Sequence, residues 1–143
     1  MAQFNKKRAQ SSMEFLILMG FLTFIIIGIL GVGYFYSGTI SDRIKSSQVE
    51  NFANKIISTS ETVFYAGYPS KATISAHLPK NVNEIEITND TIIITYYSTS
   101  GQNKISFSSN VPILEGSSAL SSTSGIKNIV IAANSTHAVI SQN

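Results

Sequence analysis

Lys6-Lys7-Arg8-Ala9-Gln10-Ser11-Ser12-Met13-Glu14, followed by the apolar run Phe15 to Tyr36, is the stretch that decides the fold of this chain. Three cations stand before one lone carboxylate, and no charged side chain follows Glu14 until Asp42. The run is 22 residues long. As a helix it measures about 33 Å, enough to cross a bilayer. Cations flanking a span stay on the cytoplasmic side, so Lys6, Lys7 and Arg8 place the rest of the chain outside. A secretory signal peptide has a shorter apolar core, of about 7–15 residues, and closes on a small-x-small cleavage site in a polar setting. This run has no such close.

Instead the pattern continues as a helix. Apolar residues fall at Ile40, Ile44, Phe52, Ile56 and Val63, with Gln48 filling the gap in the four-residue spacing and Val49 beside it. Asp42, Arg43, Lys45, Glu50, Asn51, Lys55 and Glu61 take the other faces. An amphipathic helix is therefore expected in phase with the apolar one, from about Ser12 to Tyr65, because no proline interrupts the stretch before Pro69. Gly20, Gly28, Gly31 and Gly33 lie within it; each costs about 1 kcal/mol against alanine in a helix interior. Two readings of them stand: close helix packing, or a locally opened segment.

The totals limit the remaining options. The chain has 143 residues and a net charge of +2, from 10 Lys and Arg against 8 Asp and Glu. Without Lys6, Lys7 and Arg8, 7 cations face 8 anions, near −1. The charge is thus local to the start, and a nucleic-acid surface is not supported. No cysteine is present, which excludes disulfides, thiolate metal sites and cysteine nucleophiles.

Gly67-Tyr68-Pro69-Ser70 breaks the helix, and alternation takes over. Ala72, Ile74, Ala76 and Leu78 alternate with Lys71, Thr73, Ser75 and His77. Ile85 and Ile87 alternate with Glu84, Glu86 and Thr88. Asn89-Asp90 reads as a two-residue hairpin turn into Thr91–Tyr97, and Ser100-Gly101-Gln102 as a turn before a strand with Ile105 and Phe107. Pro112 to Gly125 reads as a Ser-rich loop. Ile129–Ala132 and His137–Ile140 form a last hairpin across Asn134-Ser135. About six short strands make one twisted sheet or a small sandwich, with Phe52, Ile56 and Val63 of the helix on its inner face. The fold class is α+β: a long N-terminal helix, apolar in its first half and amphipathic in its second, packed against a small C-terminal antiparallel β-domain.

No catalytic constellation stands out. His77 and His137 occupy polar strand positions without a paired acid or nucleophile, and read as surface histidines rather than metal ligands. Glu84 and Glu86 share one face, as on a solvated strand. No glycine-rich phosphate loop follows a strand, and no cofactor is implied. Asn89-Asp90-Thr91 and Asn134-Ser135-Thr136 are glycosylation sequons, each at an expected turn.

Glu14 has two readings. Ser11-Ser12-Met13-Glu14 fits a capping box, in which hydroxyl and carboxylate satisfy free backbone N–H groups at a helix start. Alternatively, a carboxylate at the edge of a span awaits a cation from another molecule.

Basic residues, a small residue, Gln10-x-Ser12-x-Glu14-x-x-x-Leu18 and a long apolar helix resemble the class III signal peptide of archaeal type IV pilin precursors. The resemblance covers the first thirty-odd residues closely and the rest only in architecture. It implies a prepilin peptidase that cuts between Ala9 and Gln10, recognising Lys7, Arg8, Gln10, Ser12 and Glu14. Residues 1–9 would then be a leader, 10–66 the pilin helix and 67–143 a globular head. Glu14 would neutralise the new α-amine of a neighbouring subunit, unless Gln10 cyclises. The apolar helix, through Glu14, Phe15, Leu18, Leu22, Ile25 and Ile29, would pack against copies of itself in a filament. The membrane would hold the chain before assembly, and a membrane platform and assembly ATPase would act on it. Adhesion is the use the family implies, and N-linked glycans at Asn89 and Asn134 are common on such filaments. Two other readings stand: a single-span anchor displaying a β-domain as a binding module, and a minor pilin or pseudopilin of a secretion-like machine.

Overall fold

The computed structural model describes the backbone of residues 3–143 and the side chains of residues 13–143. One helix, α1 (Gln3–Ala66), is followed by seven strands: β1 (Lys71–Leu78), β2 (Val82–Thr88), β3 (Thr91–Ser98), β4 (Gly101–Ser108), β5 (Ile113–Glu115), β6 (Gly125–Ala133) and β7 (Ala138–Gln142). The chain is α+β, a long N-terminal helix packed against a β region rich in antiparallel pairs. It divides into two compact units, Met1–Ile40 and Ser41–Asn143.

The first unit is helix. Its start differs from the expected one near Ser12, because α1 is already helical at Gln3. Lysine, arginine, alanine and glutamine are good helix formers, and nothing between Gln3 and Ser12 interrupts them. Ser11 to Glu14 are therefore interior to the helix of the uncut chain, and no acid lies in its first turn. A capping box at Ser11 can form only if residues before it are removed.

In the second unit α1 buries Val49, Phe52, Ala53, Ile56, Ile57, Ser60 and Val63. Those positions step by three and four residues, which keeps them on one face. Ile40 and Ile44, expected in the same row, are instead 55% and 53% exposed. The cause is helical geometry. A strict four-residue step drifts about 40° per step at 3.6 residues per turn, so Ile40 ends up roughly opposite Ile56. Gly67, at φ +77°, ends the helix in the left-handed conformation, with its N–H on Phe64 O at 3.0 Å.

The strands form two sheets, ordered β1-β6-β7-β5 and β2-β3-β4. The two-sheet arrangement answers the question the alternation left open. The Asn89-Asp90 turn joins β2 to β3 with Thr88 opposite Thr91, and Asn89 takes φ +47°, a value asparagine tolerates better than most residues. The β3–β4 turn lies at Thr99-Ser100, with Ser98 opposite Gly101, slightly before its expected place.

One element was missed. Within the expected Ser-rich loop, β5 pairs with β7, and the pair is parallel. Three residues carry too little alternation to announce a strand; tertiary pairing makes it one. Gly116 follows, with its N–H on Ile140 O at 2.7 Å. A Cβ there would collide with Ser141 Oγ and Val139 Cγ1, so the close approach requires glycine. The rest of the loop is anchored by Leu120, which is buried, and by Lys127 Nζ, which donates to Ser121 Oγ at 2.5 Å and Thr123 Oγ1 at 2.9 Å.

Strands β1 and β4 end the two sheets, and α1 reaches both. Lys55 Nζ donates to Ser75 O of β1 at 2.7 Å. Glu61 Oε1 accepts from Asn110 N–H at 3.1 Å and from Asn110 Nδ2 at 2.8 Å, just beyond β4. Lys55 and Glu61 flank the buried stripe on its two shoulders, so one helix segment closes the gap that the sheets leave.

Replacing Ile56, fully buried, by alanine is expected to destabilise the β-bearing unit by about 2–5 kcal/mol. Ile44→Ala, on the exposed side, is expected to change stability by less than about 0.5 kcal/mol. Denaturant titration of the detergent-solubilised chain, read by tyrosine fluorescence, checks the pair.

Candidate functional site

Among the described residues, no three His, Asp, Glu or Cys side chains lie close enough to hold a metal ion. His77 is exposed on β1. His137 is half-buried beside the β6–β7 turn, with Nδ1 at 2.9 Å from Thr136 Oγ1. Glu86 pairs with Lys104 at 3.3 Å, with both side chains largely open to solvent. Such a surface pair contributes little.

The feature that demands a functional account is the helix surface of the first unit. Glu14 is exposed, and so are Phe15, Leu18, Leu22, Ile25 and Ile29. Every large apolar residue from Met13 to Tyr36 is at least 41% exposed, and Tyr34 reaches 88%. The segment is long and apolar enough to cross a membrane. Burying one such side chain is worth about 1.5–3 kcal/mol. The sum over this surface far exceeds ordinary folding stability, so water is not its resting solvent.

The helix runs unbroken through Gly28, Gly31 and Gly33. At each of them, and at Gly20, the space a Cβ would occupy is empty. Gly28 lies in a shallow apolar dent of about 350 Å³ with Phe24, Ile25, Ile29 and Val32 around it. The dent can receive an apolar side chain from another molecule. The backbone of Lys7, Arg8, Ala9, Gln10 and Ser12 is helical; their side chains lie outside the described residues.

In the second unit, Asp42 is the polar end of the buried helix face. Its Oδ2 accepts the Thr99 N–H at 3.0 Å, and its Oδ1 meets Lys45 Nζ at 3.3 Å. Partial desolvation pushes the carboxyl up. The side-chain and backbone hydrogen bonds from Thr99, with Lys45, outweigh it and hold the carboxyl below its ordinary value. The contact ties the tip of the β3–β4 hairpin to α1.

A second concavity, of about 450 Å³, opens between α1 and β1. Gln48, Asn51, Phe52 and Lys55 line it from the helix, and His77 of β1 and Ile126 of β6 from the sheet. Ile126 is 75% exposed. The strand alternation had left Ile126 without a role, because it stands just after the Ser-rich loop. The signal that could have found it is an isoleucine on the polar side of β6's own alternation.

Asn89 and Asn134 are both exposed at turns. The Asn134 turn closes with its N–H on His137 O at 2.8 Å, and Asn134 Oδ1 accepts the Ser135 N–H at 2.8 Å. Comparison with protein-family models, curated proteins and solved structures gives no match for this chain.

Ionised Asp42 stabilises the second unit above the ordinary carboxylate value of 3.8, and that contribution is lost as pH falls through the lower, folded value. Asp42→Asn is therefore expected to lower the melting temperature at about pH 7 and to flatten its fall below ~pH 4. Melting curves of wild type and variant at both pH values check this; parallel curves would refute it.

Proposed function

We propose that the chain is a structural subunit of an archaeal type IV pilus-like surface filament, assembled through its apolar helix. The observation that carries this reading is the apolar helix surface of residues 13–36, exposed on every side in a chain that also folds a head. A monomeric anchor needs only the span. Here the same helix continues 30 residues past Tyr36, to Ala66. Copies of one chain, related by a rotation and translation that do not close, build a filament and give the apolar helices a shared dry core.

The order of events follows from the chain's own residues and from the likeness of its start to class III signal peptides. The chain enters the membrane with Lys6, Lys7 and Arg8 on the cytoplasmic side. A prepilin peptidase cuts between Ala9 and Gln10, and the three cations leave. The helix then starts near Gln10, and Glu14 moves into its first turn, where a carboxylate suits the helix dipole. There it can meet the α-amine of a neighbouring copy. In a dry core that pair feels little screening, although desolvation offsets part of its energy, so it sets register more than it adds stability. A membrane platform and an assembly ATPase move the mature subunit from bilayer to filament. The head is displayed outside and serves adhesion. Asn89 and Asn134, exposed at turns, carry N-linked glycans.

The second reading, a single-span anchor displaying the β-domain, rests on the same apolar segment but leaves Glu14 and the long helix without a task. A minor pilin or pseudopilin would share every feature described.

N-terminal sequencing of protein sheared from cell surfaces is expected to begin at Gln10. An intact Met1 on protein confined to membranes would favour the anchor. Glu14→Ala should be processed normally yet fail to assemble; normal filaments would remove the intersubunit role. Intact-mass measurement of native filaments is expected to exceed the polypeptide mass, and a bare mass would end the glycan assignment.

A further inference from the structure

We propose that the concavity beside Ile126 seats the apolar N-terminal helix of a second copy of this chain. The inference rests on self-assembly as the function and assigns the part of the head that takes part in it.

Ile44, Gln48, Asn51 and Lys55 are spaced i, i+4, i+7 and i+11, so they form one row along α1. Ile44 is 53% exposed on that row, and Ile126 stands across the concavity from its lower part at 75%. Phe52, buried at 2%, floors the space between them. Two large isoleucines held open on either side of an apolar floor form an unpartnered surface in a unit whose other isoleucines of β6, Ile129 and Ile131, are fully buried.

Charge selects the occupant. The row contains no carboxylate. Its amides are neutral, and Lys55 spends its Nζ on Ser75 O at 2.7 Å, leaving its aliphatic stem along the concavity. The other shoulder of the same helix segment carries Arg43, Glu50 and Glu61. An acidic or basic partner would find its complement on that charged shoulder. The Ile126 side suits a partner without charge. The chain itself supplies one: residues 15–36 contain no charged side chain and are exposed throughout. The row also continues in sequence with Ile40, which has the same spacing and is 55% exposed. A neighbouring apolar helix laid along this row is covered on one more side, and Ile126 is covered with it. Lipid is the competing apolar occupant, and the experiment separates the two.

The test uses the full chain in assembled filaments. p-Benzoylphenylalanine in place of Ile126, irradiated in the filament, is expected to give a covalent dimer. Tryptic mapping should place the link in a neighbour's peptide ending at Arg43, within residues 13–36. Links confined to β-strand peptides, links to lipid alone, or no dimer overturn the proposal. Ile126→Asp, which puts an unpaired charge into the contact, is expected to lower filament yield by at least about tenfold with the melting temperature of the membrane-extracted chain unchanged. Glu50→Gln, on the opposite shoulder, is expected to hold yield within about twofold. Undiminished filaments from Ile126→Asp likewise overturn it. A wild-type chain that forms no filament would remove self-assembly and this contact together; filaments that form without the Ile126 link would remove only the contact.

Discussion

One continuous helix has to satisfy two different solvents. Up to Tyr36 it is apolar on all sides, and no single partner face can cover it. From Val49 it is apolar on one stripe, and two small sheets suffice to bury that stripe. Between them, Asp42 and Lys45 hold polar ground on the buried side while Ile40 and Ile44 turn outward. The change of face over these few residues is the constraint on which the rest depends. It frees the start of the helix for other molecules and commits its end to the β-strands.

The β region is shaped by that commitment. Two sheets of four and three strands leave β1 and β4 as unpaired edges. Unpaired edges invite wrong association. Here polar side chains of α1 reach each of them: Lys55 bonds a carbonyl of β1, and Asp42 and Glu61 hold the residues on either side of β4. These contacts are modest one by one, as partly exposed polar pairs are. Their value lies in fixing where the sheets stop. The buried isoleucines Ile56, Ile92, Ile94, Ile113, Ile129, Ile131 and Ile140 supply the driving force. The polar contacts choose among ways of spending it.

Lys127 shows the same division in a loop. A Ser-rich segment without apolar periodicity would ordinarily be mobile. Two hydroxyls accept from one buried ammonium, Leu120 plugs the core, and Gln142 Oε1 takes the Ser121 N–H at 2.8 Å. Cysteine is absent from the chain, so order outside the strands has to come from such hydrogen bonds and from packing.

The sequence by itself determined the helix, its break at Gly67, the alternation of β1, β2, β3 and β6, and the Asn89-Asp90 turn. Each of these rests on local chemistry: periodicity, a missing Cβ, a side chain that tolerates positive φ. It also marked the apolar stretch and Glu14, because an uncharged run that long is visible without neighbours. The tertiary structure decided what depends on distant partners. It made β5 a strand by pairing three residues with β7, and it turned Ile40 and Ile44 outward because a four-residue row drifts around the helix. It buried Lys127 beneath a loop and left Ile126 in the open. Local pattern sets which face a side chain shares with its sequence neighbours; only the packing of elements far apart in sequence sets whether that face is covered.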